Sequence, residues 1–218
     1  MGETAITIRA KTAPGATRKG VETRNRIIKG AREALEEGGM EALTTRRIAA
    51  SADVKLATLH YYFESKESLL LAVLEDLIAD MEEAYRQDVA LPKAPEDRVE
   101  ALIRASWRYI QRTRGKQIAQ QELTLYALRT KGSEWLAARQ YNAYIDFYGH
   151  LVFEDDRDED LRRIGRAVAR QMLIGIDGII LQSYALQDLS TSNDDIEALI
   201  TAMRGYLRRL MVERDKGR

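Results

Sequence analysis

The chain of 218 residues sets 34 lysines and arginines against 34 aspartates and glutamates, and it is 45% hydrophobic. That is enough apolar material to bury a core and too much for a disordered chain, while the absence of cysteine excludes disulfides, thiolate metal sites and cysteine nucleophiles. His60 and His150 stand far apart with no second ligand at metal spacing, and the most apolar stretch, residues 172–186, is too short for a bilayer and carries Asp177.

Residues 1–22 show no sustained periodicity and read as a flexible arm carrying Arg9, Lys11, Arg18 and Lys19. They lack the charged-then-apolar layout of a signal peptide, which predicts a soluble, cytoplasmic protein. Charge is uneven beneath its zero sum. Residues 1–66 carry +4 and residues 67–218 carry −4, the pattern of an anion-binding module on a differently employed body.

Helical spacing begins at Thr23, with Ile27, Ile28, Ala31, Ala34 and Leu35 on one face and Gly38-Gly39 as the exit. Thr44 is placed to cap a second short helix through Ile48 and Ala49. A tight break follows at Ala52-Asp53-Val54, then a third short helix to Phe63. Ser65 caps a long helix with Leu70, Val73, Leu74, Leu77, Ile78 and Met81 on its buried face, and Pro92 and Pro95 stop it. Further helices are predicted over 97–113, 116–130, 133–152, 159–188 and 193–213, the last capped by Ser192. No segment alternates as a strand does. The fold class is all-α, with about nine helices.

Two short helices across a tight turn, preceded by a packing helix, describe a helix-turn-helix unit over residues 23–66. Ile48, Ala49, Leu59 and Phe63 turn inward. Lys55, Leu56, Ala57, Thr58, His60, Tyr61 and Tyr62 are left outward, on a helix that can lie in a major groove with its first turn at the base edges. The stretch from Thr23 to Leu70 resembles the DNA-binding region of the TetR family of bacterial regulators. The resemblance rests on Arg-x-x-Ile-x-x-x-Ala in the first helix, the Gly39 break and Thr44 before Ile48-Ala49. It continues through Thr58-Leu59-x-Tyr61-x-Phe63 and Ser65-Lys66-Glu67 before Leu69-Leu70. It covers about a fifth of the chain.

The resemblance implies that Tyr61 and Lys66 contact phosphates and that Thr44, Thr45 and Arg46 set the second helix on the DNA backbone. Five positions depart from the family's pattern, two of them His60 and Tyr62, which exchange the usual aromatic and histidine preferences of this segment. Asp53 stands where glycine is usual, Lys55 replaces a hydroxyl cap, and Ala57 replaces a glycine. Base reading is expected from Leu56, Ala57, Thr58 and His60, with Lys55 beside a phosphate.

The all-helical residues 67–218 are similar in architecture to the family's variable ligand-binding and dimerisation domain, and the resemblance implies that role for them. Nine of the fifteen aromatics lie in residues 94–153, which suits a ligand cavity, and core packing explains the same density. The candidate wall is Trp107, Tyr126, Tyr144 and Tyr148, with Gln121, Glu122, Asn142 and Gln171 as candidate polar anchors. Arg104 and Arg108 could meet an anionic ligand or lie in solvent. Asp177, amid apolar neighbours, must be paired, either at a helix contact or with a ligand. Gly175 and Gly178 allow close backbone approach. With the apolar face Ile196, Leu199, Ile200, Met203, Leu207 and Leu210, they point to a homodimer joined through the last two helices. The acidic run 154–160 is not a calcium loop, since Leu161 and Ala167 occupy its sixth and twelfth positions.

The expected function is a homodimeric, ligand-responsive DNA-binding regulator, and the resemblance implies a repressor released from operator DNA by a small molecule. A ligand-independent DNA-binding protein of the same fold is the nearest alternative. An all-α enzyme is the third reading; candidate acids abound, but there is no phosphate-binding loop, no Gly-x-Ser-x-Gly elbow, no cysteine and no histidine with an obvious nucleophile beside it. No cofactor, metal site or membrane contact is expected.

Overall fold

The computed structural model describes residues 17–217 except 89, 154–156 and 188. The predicted arm therefore lies outside the described residues up to position 16, as does part of the acidic run. Among the described residues there are nine α-helices and no strand. They are α1 (Arg18–Ala42), α2 (Thr45–Ser51), α3 (Leu56–Tyr62), α4 (Lys66–Asp88), α5 (Pro95–Arg112), α6 (Arg114–Arg129), α7 (Glu134–Val152), α8 (Glu159–Leu186) and α9 (Leu189–Lys216).

Local chemistry explains most of the boundaries. Thr17 caps α1 by accepting the Gly20 amide, so this helix starts five residues before the position at which periodicity becomes visible. Asp158 caps α8 by accepting the amides of Asp160 and Leu161, and Pro95 opens α5, where a missing amide costs nothing. The last helix departs from expectation. α9 begins at Leu189, which leaves Ser192 buried inside the helix rather than at its cap.

The described chain forms two compact units, residues 17–81 with 114–140 and residues 82–113 with 141–217. In the first, α1 is gripped by α2, α6 and α4. Its Ile27, Ala31 and Leu35 are buried, and Arg32 bridges to Asp76 of α4 at 2.8 Å. Lys116 of α6 pairs with Asp80, and Arg139 of α7 with Glu75 at 3.1 Å.

In the second unit α5 packs on α8 and α9 around Leu102, Ile103, Ile176 and Ile200. Buried Arg98 donates to the carbonyls of Pro92 and Leu151, at 2.6 and 3.4 Å, and so pins the loop that precedes α5. Arg204 of α9 meets Glu100 and Asp97 of α5, at 2.6 and 3.1 Å.

Helices α7 and α8 cross where Gly149 faces Gly165. A β-carbon added at Gly165 would lie 2.4 Å from the Gly149 carbonyl oxygen, which is backbone and cannot swing aside. Gly165→Ala should therefore cost about 2 kcal/mol, the usual range for overpacking, read as a lowered urea midpoint at unchanged slope.

Two expectations about α8 and α9 change. A β-carbon at Gly175 would lie 2.5 Å from a Leu199 methyl, so this glycine serves α8–α9 packing within the protomer rather than approach of a second one. Of the predicted apolar face of α9, Ile196, Ile200 and Leu207 are buried inside the unit. Gly178 and Gly205 have open space where a β-carbon would stand.

Candidate nucleic-acid interface

The reading unit is built outward from a few backbone commitments. α1 is interrupted at Gly38 and at Gly39, whose φ of 65° and ψ of −164° belong to a region that is essentially glycine's alone. Thr44 accepts the Arg47 amide at 3.2 Å and starts α2. α2 ends at buried Ala52, and Asp53 takes the left-handed conformation at φ 51°, as short polar side chains tolerate. The Val54 amide returns to the Ala49 carbonyl at 2.9 Å.

Gly30 of α1 lets this turn close. A β-carbon there would stand 3.2 Å from the Ala52 amide nitrogen. Nothing in the sequence pattern singled Gly30 out, because the turn it admits lies more than twenty residues away. Lys55 makes no side-chain cap for α3. Ser65 and Ser68 exchange hydrogen bonds at the start of α4, the Ser68 amide donating to Ser65 Oγ at 3.1 Å and the Ser65 amide to Ser68 Oγ at 3.3 Å.

With Ile48, Leu59 and Phe63 held inside, the opposite sides of α2 and α3 face outward. Thr44, Thr45, Arg46, Lys55, Leu56, Ala57, His60, Tyr61 and Lys66 are exposed, and Thr58 is half-buried. Tyr61 is the extreme case at 81% exposure, far more than a tyrosine with a packing role requires. Tyr62 is less outward than its spacing indicated. It is half-buried, its ring meets that of Tyr61 edge-on at 5.2 Å, and its hydroxyl lies beside Gly20 of α1. Arg24 lies over the Phe63 ring at 5.2 Å, and exposed Arg47 pairs with Glu37 at 3.4 Å.

Helix α6 adds two contacts to this unit. Glu122 Oε2 accepts the Met40 amide at 2.8 Å, just past the Gly39 turn. The Lys66 ammonium lies over the Tyr126 ring, 4.5 Å from its centroid. Glu122, a candidate polar anchor by sequence, holds the α1–α2 junction in the structure.

The candidate effector residues divide between the two compact units. Gln121 and Tyr126 belong to the first, both half-buried. Trp107, Tyr144 and Tyr148 are buried in the second, where Gln171 is exposed. The Trp107 indole donates to Asn193 Oδ1 at 3.0 Å.

Tyr148 belongs to a buried hydroxyl chain, donating to Tyr85 at 2.8 Å while Tyr85 donates to Ser106. Phe147 stands edge-on to both rings, at 5.2 and 5.6 Å. Burial pushes the Tyr85 phenol well above its ordinary range, with Tyr148 adding to the effect, and burial raises Tyr148 as well. Both phenols are therefore neutral near pH 7, able to donate and accept hydrogen bonds. Tyr85 continues the buried face of α4 one turn beyond Met81, a spacing that could have found it. Ser106 carried no such signal.

Asp177 accepts the Tyr141 hydroxyl at 2.8 Å, a contact between α8 and α7. Arg104 is bound by Glu197 and Glu100 through bonds of 2.9 and 3.0 Å, whereas Arg108 is exposed. Among the described residues no group of acidic or histidine side chains is arranged to hold a metal, and no helix is long and apolar enough to cross a membrane.

Residues 27–73 match the family model described as bacterial regulatory proteins of the tetR family. The chain is 28% identical over 208 residues to the HTH-type transcriptional regulator BetI of Rhizobium meliloti, covering 84% of this chain and 87% of that protein. A solved member of the TetR family from Streptomyces coelicolor A3 is 27% identical, with a TM-score of 0.65 over 84% of this chain and 98% of that one. The multidrug binding protein EbrR, solved with ethidium, is 26% identical, with a TM-score of 0.66 over 83% of this chain and 98% of that one.

Proposed function

Because the chain belongs to the TetR family of transcriptional regulators, we propose that it is a repressor that binds operator DNA as a homodimer and is released by a small molecule. The observation that carries this reading is the outward face of α2 and α3, where Thr45, Arg46, Lys55, Leu56, Ala57, His60 and Tyr61 are exposed over a closed core. In this reading α3 enters the major groove. Leu56 and Ala57 pack on thymine methyls, and Thr58 and His60 meet base edges. Tyr61, Lys55 and Lys66 contact phosphates, and Thr44 with Thr45 and Arg46 sets α2 on the backbone.

A two-fold dimer would set two such helices about 34–36 Å apart, in successive major grooves. The second compact unit supplies the effector site, with Trp107, Tyr144 and Tyr148 as aromatic walls and Gln171 as a further contact. The likeness to EbrR, a multidrug binding protein solved with ethidium, supports a flat, partly apolar effector. Such a ligand releases DNA only through its differential affinity for the two states. A coupling of about 1–3 kcal/mol would weaken operator binding roughly 5–150-fold, and operator must weaken ligand binding equally.

The test is selection of preferred duplexes from a random pool, followed by titration. The full chain should return one two-fold site, and Thr58→Ala should change the preferred sequence while leaving affinity for unrelated duplex within about twofold. An identical preferred site for Thr58→Ala would remove α3 as the reader, and no selected sequence at all would defeat the proposed function.

A further inference from the structure

Two side chains of α6, four residues apart and hence on one helix face, reach the two ends of the reading helices. Glu122 holds the Met40 amide at 2.8 Å, where α1 passes into α2. Tyr126 lies under the Lys66 ammonium at 4.5 Å, at the first residue of α4 after α3 has ended. The two contacts bracket the reading helices in the chain and lie in one compact unit. The Gly39 turn is shaped around the first of them, since a β-carbon at Gly39 would stand 2.3 Å from Glu122 Oε2.

An ammonium over a phenol face is held by the ring's quadrupole, and the same ammonium is a phosphate ligand when it swings free. A lysine is a compact point charge with one set of donors. The ring and a phosphate therefore compete for Lys66.

We propose that Tyr126 is a positioning residue for DNA binding, whose ring withholds Lys66 from the phosphate backbone while Glu122 keeps α6 in register with the α1–α2 junction. Helix α6 thus sets how tightly the reading unit grips any duplex, whatever its sequence. A displacement of α6 loosens both contacts together, because Glu122 and Tyr126 share a face. This inference rests on the proposed DNA-binding function and adds a residue that the reading face itself does not contain.

The experiment uses the full chain, a duplex of random sequence and a series of salt concentrations, with Tyr126→Leu, Tyr126→Phe, Lys66→Ala and the Lys66→Ala/Tyr126→Leu pair. Lys66→Ala should flatten the dependence of log affinity on log salt by about one unit. Tyr126→Leu should bind about two- to fivefold more tightly, the gain expected from freeing one exposed cation–π contact, and Tyr126→Phe should match the wild type because it keeps the ring. In the Lys66→Ala background Tyr126→Leu should change nothing. Proton spectra should show the Lys66 methylenes shifted upfield by the ring, retained in Tyr126→Phe and lost in Tyr126→Leu.

Weaker binding by Tyr126→Leu would overturn the proposal, because the ring would then be aiming Lys66 rather than withholding it. An effect that persists without Lys66 would overturn it too, as a merely structural role. A chain that binds no duplex would defeat the function and this inference together, whereas normal binding insensitive to Tyr126→Leu defeats this inference alone.

Discussion

Replacing Gly39 with alanine is expected to remove about 3 kcal/mol of stability from the reading unit. Two costs converge at that position. The backbone at φ 65° and ψ −164° is closed to residues with a β-carbon except at a cost on the order of 1–3 kcal/mol. The new methyl would also stand 2.3 Å from Glu122 Oε2, so the carboxylate must leave the Met40 amide and forfeit a hydrogen bond to a charged group, worth about 1.5–3 kcal/mol. The two costs overlap, because a carboxylate that moves away relieves the clash as it breaks the bond. Urea unfolding should show a lower midpoint at unchanged slope, and operator binding should weaken because the Gly39 turn leads directly into α2. Glu122→Ala alone should cost less, and it should cost less again in the Gly39→Ala background, the signature of coupled neighbours. A loss under about 0.5 kcal/mol for Gly39→Ala would contradict the turn geometry.

The larger effect on function is expected from Leu181→Arg. Ile174, Gly178 and Leu181 fall at i, i+4 and i+7 on α8. The two large side chains are 58% and 56% exposed, and Gly178 has open space beside it. A face of this kind is more apolar than water rewards. A second protomer would cover it in an interface on the order of 1,200 Å² or more.

An arginine at position 181 has room on the free protomer but would bury an unpaired charge in that interface. Sedimentation at micromolar concentration should show dimer for the wild type and monomer for the variant. Operator affinity should fall by about 100-fold or more, since a single reading helix loses the second half-site. Gly175→Leu should act differently: it meets Leu199 of its own chain and should lower protomer stability without first separating protomers. A wild type that sediments only as monomer would defeat the paired-groove reading.

What the sequence by itself determined is what short-range chemistry decides. Thr44 and Ser65 serve amides three residues ahead, and Asp53 turns left-handed between Ala52 and Val54. The spacing of Ile27, Ala31, Leu35, Ile48 and Leu59 announces which faces are buried, because helical periodicity and the hydrophobic effect need no distant partner. The exposed face of α3 follows from the same periodicity, so the outward placement of Leu56, Ala57, His60 and Tyr61 is legible in the sequence.

The tertiary structure alone decided which faces meet. Glu122 finds the Met40 amide across 82 positions, Lys66 finds Tyr126 on another helix, and Tyr85, Ser106 and Tyr148 join from three helices. It also assigned Gly175 to a contact within the protomer and buried Ser192 inside α9. A carboxylate, a tyrosine or a glycine looks the same in sequence whether it faces solvent, a ligand or another helix. Its role depends on the packing of whole helices, in which the burial of many apolar side chains outweighs the preference of any one polar group.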